Sequence, residues 1–214
     1  MNAETGFPID ILIFGIVAAV LIFRLRGILG RRDGFEAKKP AAVIDIATAR
    51  PQAAAPPPVR VPEPGTPLER TLLMFQSLEP TFDPARFVLD AQAAFRIIVL
   101  AFARGDTATL AQLLGPSTGA AFEAAIAERQ RAGHHQHAEI LEITHADIQD
   151  AALEGRQAHV TVKFTSEQVT YTTDDQGQIV TGHDGRTVID DIWTFERSLG
   201  SPDPTWRLIA AHTA

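Results

Sequence analysis

The stretch "FDPARFVLDAQAAFRIIVLAFARGD", residues 82–106, is the one whose reading decides the fold. Asp83 followed by Pro84 is a helix start: an aspartate suits the N-cap, and proline suits the first helical position. Phe87, Ala91, Phe95, Ile98 and Phe102 recur at helical spacing, and Val88, Ala94 and Val99 widen the stripe. Gly105 reads as the residue just past the helix end and Asp106 as the cap of the next helix. One broad apolar stripe with polar residues behind it predicts a long helix laid on something large.

Working outward from it, the preceding residues also predict a helix. Thr66-Pro67-Leu68-Glu69 carries a cap, an N1 proline and the acid of a capping box, and Leu68, Leu72, Phe75 and Leu78 follow before Pro80 stops the run. Two shorter helices are expected after residue 106, over Asp106 to about Leu114 and about Ser117 to Arg131, with Ala121, Phe122, Ala125 and Ile126 inward. Gly133 closes the helical half. Period 2 then takes over. "HVTVKF" puts Val160, Val162 and Phe164 on one face, "VIDDIWTFER" puts Ile189, Asp191, Trp193 and Phe195 together, and "TWRLIAAH" supplies a last strand. "TTDDQGQIV" and "GHDGR" read as turns. About three helices followed by about four strands give an α+β fold, a curved antiparallel sheet against packed helices.

The N-terminal third has a different composition. Ile11 to Phe23 is unbroken apolar sequence, and Phe7 to Phe23 makes ~25 Å of helix, extended by Leu25, Ile28 and Leu29 to ~34 Å. No Lys or Arg precedes Arg24 and no small-x-small cleavage site follows it, which excludes a secretory signal. The segment is expected to be a transmembrane anchor, residues 1–27. Arg24, Arg26, Arg31 and Arg32 flank it, set the C-terminal side as cytoplasmic, and are candidate contacts for anionic lipid. Residues 28–66 are basic at first and then proline-rich. Of the 14 prolines, 8 fall between 40 and 67, so this part reads as a disordered tether reaching ~30 to ~85 Å from the membrane. Residues 67–214 form the expected globular domain. From residue 66 onward 11 Lys/Arg face 20 Asp/Glu, a net charge of −9, which is wrong for a phosphate backbone; nucleic acid is excluded as a partner. The chain contains no cysteine, in keeping with a reducing compartment.

In order along the chain, "FDPARFVLDAQAAFRIIVLAFARGD", "AFEAAIAERQRAG", "AHVTVKFTSEQV" and "DIWTFER…DPTWRLIA" resemble the Tim-forty-four-like domain, over about residues 68–214. The anchor and tether resemble alphaproteobacterial single-pass members described as adaptors. The resemblance implies a cone-shaped domain similar to nuclear-transport-factor-two-like folds, with a pocket. It also implies kinship with the scaffold of the mitochondrial inner-membrane import motor, which recruits a heat-shock chaperone. Two departures stand out. Residues 27–66 do not resemble that scaffold's N-terminal extension, and the Thr66–Leu78 helix carries Arg70 against Glu69 where the family's membrane-contacting helices are basic.

The candidate chemistry is sparse. His134, His135 and His137 are expected in the helix-to-strand turn as a solvated cluster; no cysteine joins them and no i, i+4 partner does, so no metal or cofactor is expected. Asp191 shares its strand face with Trp193 and Phe195, and with Trp206 these form a candidate pocket lining. Burial would raise the Asp191 carboxyl and suit it to proton transfer. Tyr171 has no second polar group placed to work with it, and an enzyme needs a constellation. The sequence therefore reads as a single-pass inner-membrane protein with its N-terminus outside and its domain in the cytoplasm. The expected role is a non-catalytic adaptor that brings a protein partner, a chaperone client or a membrane complex, to the bilayer. The alternative is a pocket protein for a lipid or small apolar ligand, or an enzyme using Asp191.

Overall fold

A computed structural model describes residues 63–214; the expected anchor and most of the tether, with Arg24, Arg26, Arg31 and Arg32, lie outside the described residues. Four helices precede four strands: α1 (Pro67–Leu78), α2 (Pro84–Arg104), α3 (Thr107–Leu113), α4 (Pro116–Arg131), then β1 (His135–Glu154), β2 (Gln157–Thr173), β3 (Ile179–Ser198) and β4 (Arg207–Thr213). The strands form one antiparallel sheet in the order β1-β2-β3-β4. Among the described residues no helix is long and apolar enough to cross a membrane.

Three of the four helices begin at a capping side chain, and α4 begins at Gly115 without one. Thr66 accepts from the Glu69 N–H at 3.2 Å, while the Glu69 carboxylate reaches the N–H of Gly65, one residue before the position of the standard capping box. Asp83 accepts from Ala85 N–H at 2.9 Å, and Asp106 accepts from Thr109 N–H at 3.0 Å. Gly105 ends α2 at φ 70°, a left-handed conformation that a glycine adopts without steric cost.

The core is an aromatic layer between α2 and the helix-facing side of the sheet. Phe95 is fully buried, 4.7 Å from Phe164 and 4.6 Å from Trp193 between ring centroids. Toward the start of α2, Phe87 meets Trp206 at 4.8 Å and Phe195 at 6.1 Å, and Phe82 links this group to Phe75 of α1 at 5.4 Å. Such edge-on and offset contacts add about 0.5–1.5 kcal/mol each beyond area burial.

Three polar connections fasten the helices at the rim. The Arg129 guanidinium of α4 donates to the carbonyls of Phe102 at 2.7 Å and Ala103 at 3.1 Å, and lies over the Phe102 ring at 4.9 Å. It thereby satisfies end carbonyls of α2. Glu79, just after α1, pairs with Arg197 of β3 and accepts from Gly200 N–H at 3.0 Å, while Arg197 also covers Trp206 at 5.5 Å. Both side chains of that pair are mostly buried, 11% and 17% exposed, and the Arg197 hydrogen bond holds the Glu79 carboxyl below its usual range. Thr118 of α4 donates to Ile209 O at 2.6 Å, and Gly115 N–H donates to Leu208 O at 2.8 Å, joining α4 to the edge strand.

Two expectations are corrected. The histidine cluster does not lie in a turn: β1 begins at His135, so His135 and His137 are strand residues and only His134 precedes it. This twenty-residue strand hides its period because it carries register shifts between Ile140 and Glu142, Ile143 and His145, and Ile148 and Asp150. Its inward residues Ile140, Ile143, Ala146 and Ile148 are consequently three, three and two apart, which imitates a helix. Each extra residue also bends the sheet. "GHDGR" is likewise no turn. It lies within β3, where Asp184, Gly185 and Arg186 bulge between the pairs Gln168–Thr187 and Thr170–His183, and Gly182 pairs with Tyr171 just beyond. Gly182 there has φ 78°, and a Cβ on it would stand 2.6 Å from Thr170 O, so the site admits only glycine without movement.

The aromatic layer sets a stability expectation. Phe95→Ala costs about 3–5 kcal/mol in urea unfolding of the full chain in detergent. Ile97→Ala, two residues away on the exposed side of α2 at 45% exposure, stays within about 0.5 kcal/mol. Similar losses for the two would show that the layer is not the core.

Candidate functional site

Strand parity places chemistry on the helix-facing side of the sheet. Along β2 this side reads Ala158, Val160, Val162, Phe164, Ser166 and Gln168, all buried. The first four are apolar and the last two are polar. Opposite them on β3, Phe195 pairs with Val160, Trp193 with Val162, Asp191 with Phe164 and Ile189 with Ser166. The aromatic layer therefore ends at Phe164 and Trp193, and a polar patch begins there.

Asp191 is the centre of this patch. Its Oδ2 accepts from Gln168 Nε2 at 3.4 Å and its Oδ1 from Thr213 Oγ1 at 3.2 Å, and the same Gln168 amide donates to Ser166 Oγ at 2.8 Å. Burial pushes the carboxyl up to about 6, opposed in part by the Thr213 and Gln168 hydrogen bonds and assisted by the charge of Asp190. Two residues further along β2 the Thr170 hydroxyl is buried without a hydrogen-bond partner.

Its neighbour Asp190 behaves in the opposite way, because alternation turns it to the outer side of the sheet. There Lys163 Nζ stands 2.7 Å away and Thr165 Oγ1 donates at 2.6 Å. The Lys163 hydrogen bond, with that from Thr165, holds the Asp190 carboxyl below the usual range. The outer side continues as a cross-strand ladder, His159 with Glu196 at 2.8 Å and Thr161 with Thr194 at 3.0 Å. One dipeptide thus supplies a paired surface carboxylate and an unpaired interior one.

The other sequence candidates separate. Trp193 and Phe195 are 5% and 1% exposed and pack within the core, against Phe95 and Phe87. Trp206 is half-buried between Phe87 and Arg197, away from Asp191. Tyr171 stacks on His137 at 4.8 Å across β1 and β2, and His135 Nε2 lies 3.1 Å from Asp175, with both side chains largely exposed. Among the described residues no group of three or more His, Asp or Glu is placed to hold a metal ion. Ser166, Gln168 and Thr213 were not among the candidates. Continuing the period of "HVTVKF" through "TSEQ" would have found the first two; Thr213 arrives by register on a separate strand.

Helices on one side of a bent antiparallel sheet, with a polar patch closing one end of the covered side, define a two-layer α+β domain. The sequence profile of the Tim44-like domain matches residues 68–213, and the chain belongs to that family. No curated protein matches the sequence. The intermembrane space region of the chloroplast protein ARC6 aligns at 16% identity over 63% of this chain and 98% of that one, with a TM-score of 0.45. A protein of the NTF2-like family from Streptomyces avermitilis aligns at 16% identity over 60% and 96%, TM-score 0.37. An NTF2-like superfamily protein from Salmonella enterica serovar Typhimurium aligns at 11% identity over 62% and 92%, TM-score 0.36. Likenesses of that strength say nothing of what this chain binds.

The state of Asp191 sets a pH-dependent expectation. Its carboxyl titrates near 3.8 when unfolded and near 6 when folded, so between those values the folded chain binds the extra proton. Stability therefore falls as pH rises across that window and stays reduced above it. Asp191→Asn removes the charge while keeping an acceptor for Thr213. The variant is expected to be more stable than the parent at about pH 7.5, by on the order of 2 kcal/mol, with the difference closing toward about pH 4. Thermal unfolding at both pH values reads this, and a variant less stable than the parent at about pH 7.5 would refute it.

Proposed function

We propose that this chain is a membrane-tethered, non-catalytic adaptor whose Tim44-like domain binds a protein partner, a chaperone client or a membrane complex, at the bacterial inner membrane. The observation that carries the reading is the family match across residues 68–213. Surface composition supports it. Leu73 and Met74 of α1 and Leu89 and Ile97 of α2 are 36–53% exposed, apolar side chains that a partner would cover. The neighbours of Asp191 are in keeping with a non-catalytic role, since Gln168, Ser166 and Thr213 supply no second acid or base titrating near neutrality to pair with it.

The tether gives the adaptor its mechanism. An anchor in residues 1–27 and a proline-rich spacer hold the domain within tens of ångströms of the bilayer, which raises its effective concentration there. A contact too weak to matter in bulk solution then suffices. The arginines at 24, 26, 31 and 32 fix the domain on the cytoplasmic side and draw anionic headgroups to the exit of the anchor.

Two measurements on cells producing the full chain test this. Protease added to spheroplasts of these cells should leave the domain intact, and alkaline washing should leave it in the membrane; cleavage of the domain or its extraction sinks the topology. In-cell crosslinking should give one stoichiometric protein adduct that is retained in Asp191→Asn and lost in the Leu73→Asp, Ile97→Asp double variant. An adduct unaffected by the double variant would remove the helical surface from the reading, and the lack of any adduct would remove the adaptor.

A further inference from the structure

Asp191 faces the covered side of the sheet and is held by two neutral protein donors. It is half-buried and, among the described residues, it has no ion pair. Its two hydrogen bonds, 3.4 Å from the Gln168 amide and 3.2 Å from the Thr213 hydroxyl, come from neutral donors and are longer than the roughly 2.7–2.9 Å of charge-assisted N–H···O and 2.5–2.7 Å of O–H···O bonds. Both oxygens keep lone pairs to spare. Asp190 shows what a satisfied carboxylate looks like on the same strand, with a lysine at 2.7 Å and a hydroxyl at 2.6 Å. A partly open carboxylate held in this way, with lone pairs to spare and no fixed counter-charge among the described residues, can take a cationic group brought to it.

The surroundings narrow the cation. A hard divalent ion needs about six or more oxygen ligands, and Asp191 is the single carboxylate on this side of the sheet, with Ser166, Gln168 and Thr213 around it. An anionic ligand would meet Asp190, Asp191 and a domain of net charge −9. A monovalent ammonium head matches one carboxylate, with Ile189, half-buried and next on the same side, beside an alkyl stem. Thr213 is exposed, so the approach is open from β4.

We propose that Asp191 is a receptor for a primary ammonium group, a binding function additional to the adaptor role. Asp191 supplies the counter-charge, and Gln168 and Thr213 hold its carboxylate in place. The group comes either from a small free amine or from a lysine side chain of a bound protein. The ionisable groups near the site are few. Asp190 lies beside it on β3, Lys163 of β2 is held by Asp190 on the outer side, and His212 of β4 neighbours Thr213 on that outer side. Arg96 of α2 is engaged at 3.3 Å with Ile140 O, and Arg129 of α4 is bound to the end of α2. Of these only Asp190 acts on Asp191, so amine binding strengthens as pH rises through the ionisation of Asp191 near 6.

Thermal unfolding of the purified full chain in detergent, titrated with n-butylamine, tests the proposal without any partner. Amine that binds the folded state raises the midpoint. The expected result is a saturable rise at about pH 7.5, at least about tenfold weaker binding in Asp191→Asn, and a much smaller rise at about pH 5. Butan-1-ol and butyrate should give no such rise. N-acetyl-lysine amide in place of butylamine separates the sources: tighter binding than butylamine points to a protein lysine, weaker binding to a free amine. No rise with either amine, or an equal rise in parent and Asp191→Asn, overturns the proposal. Because Asp191→Asn is expected to be at least as stable as its parent, loss of the response is not a loss of fold.

Discussion

Phe95 lies between Phe164 and Trp193 with none of its side chain exposed, and this wedge fixes how α2 crosses the sheet. A helix on a curved sheet has many shallow resting positions if its stripe is made of small aliphatic residues. Large flat rings allow few, because each must find an offset or edge-on partner at the right distance. With α2 placed, Phe87 meets Trp206 and Phe195, the turn after α1 brings Phe82 against them, and the end of α2 presents the carbonyls that Arg129 binds. The polar rim connections follow from the aromatic placement and lock it.

The same wedge decides where chemistry is allowed. Aromatic rings occupy the covered side of the sheet up to Phe164 and Trp193, and the next positions along β2 and β3 are Ser166, Gln168 and Asp191. A carboxylate at the position of Trp193 would have no water and no donors. At position 191 it has two donors and the margin of the layer, and its proton affinity is moderately raised. The half-buried acid is thus a feature of the boundary between a packed layer and a polar one, and the domain holds it at a stability cost above pH 6.

Much of this was legible in the sequence. The α2 stripe and the shared face of Asp191, Trp193 and Phe195 follow from spacing, because a regular helix and a regular strand keep their periods, and the Asp83-Pro84 start and Gly105 end follow from the residue types that suit a helix's ends. β1 was lost for the converse reason. Three bulges displaced its inward residues from period 2, and the histidines at its start looked like loop. "GHDGR" has turn composition but lies within β3, where Gly182, paired with Tyr171 beside a bulge, serves close approach to Thr170 rather than chain reversal. The partners of Asp191 were only half accessible. Ser166 and Gln168 follow from extending one strand's parity, whereas Thr213 and the Glu79–Arg197 pair depend on register between distant segments, which no local pattern encodes.

The Glu79–Arg197 pair also defines how this domain would carry a mechanical load. Tension entering from the residues before Pro67 is applied to α1, a helix with two buried side chains, Leu72 and Phe75. From its far end the pull passes through Glu79 to Arg197 and Gly200, directly into the sheet. The short turn to α2 is then bypassed. Under such a load the ion pair would serve as a strain relief between the chain before Pro67 and the folded body, and would spare the aromatic layer from being peeled open one helix at a time.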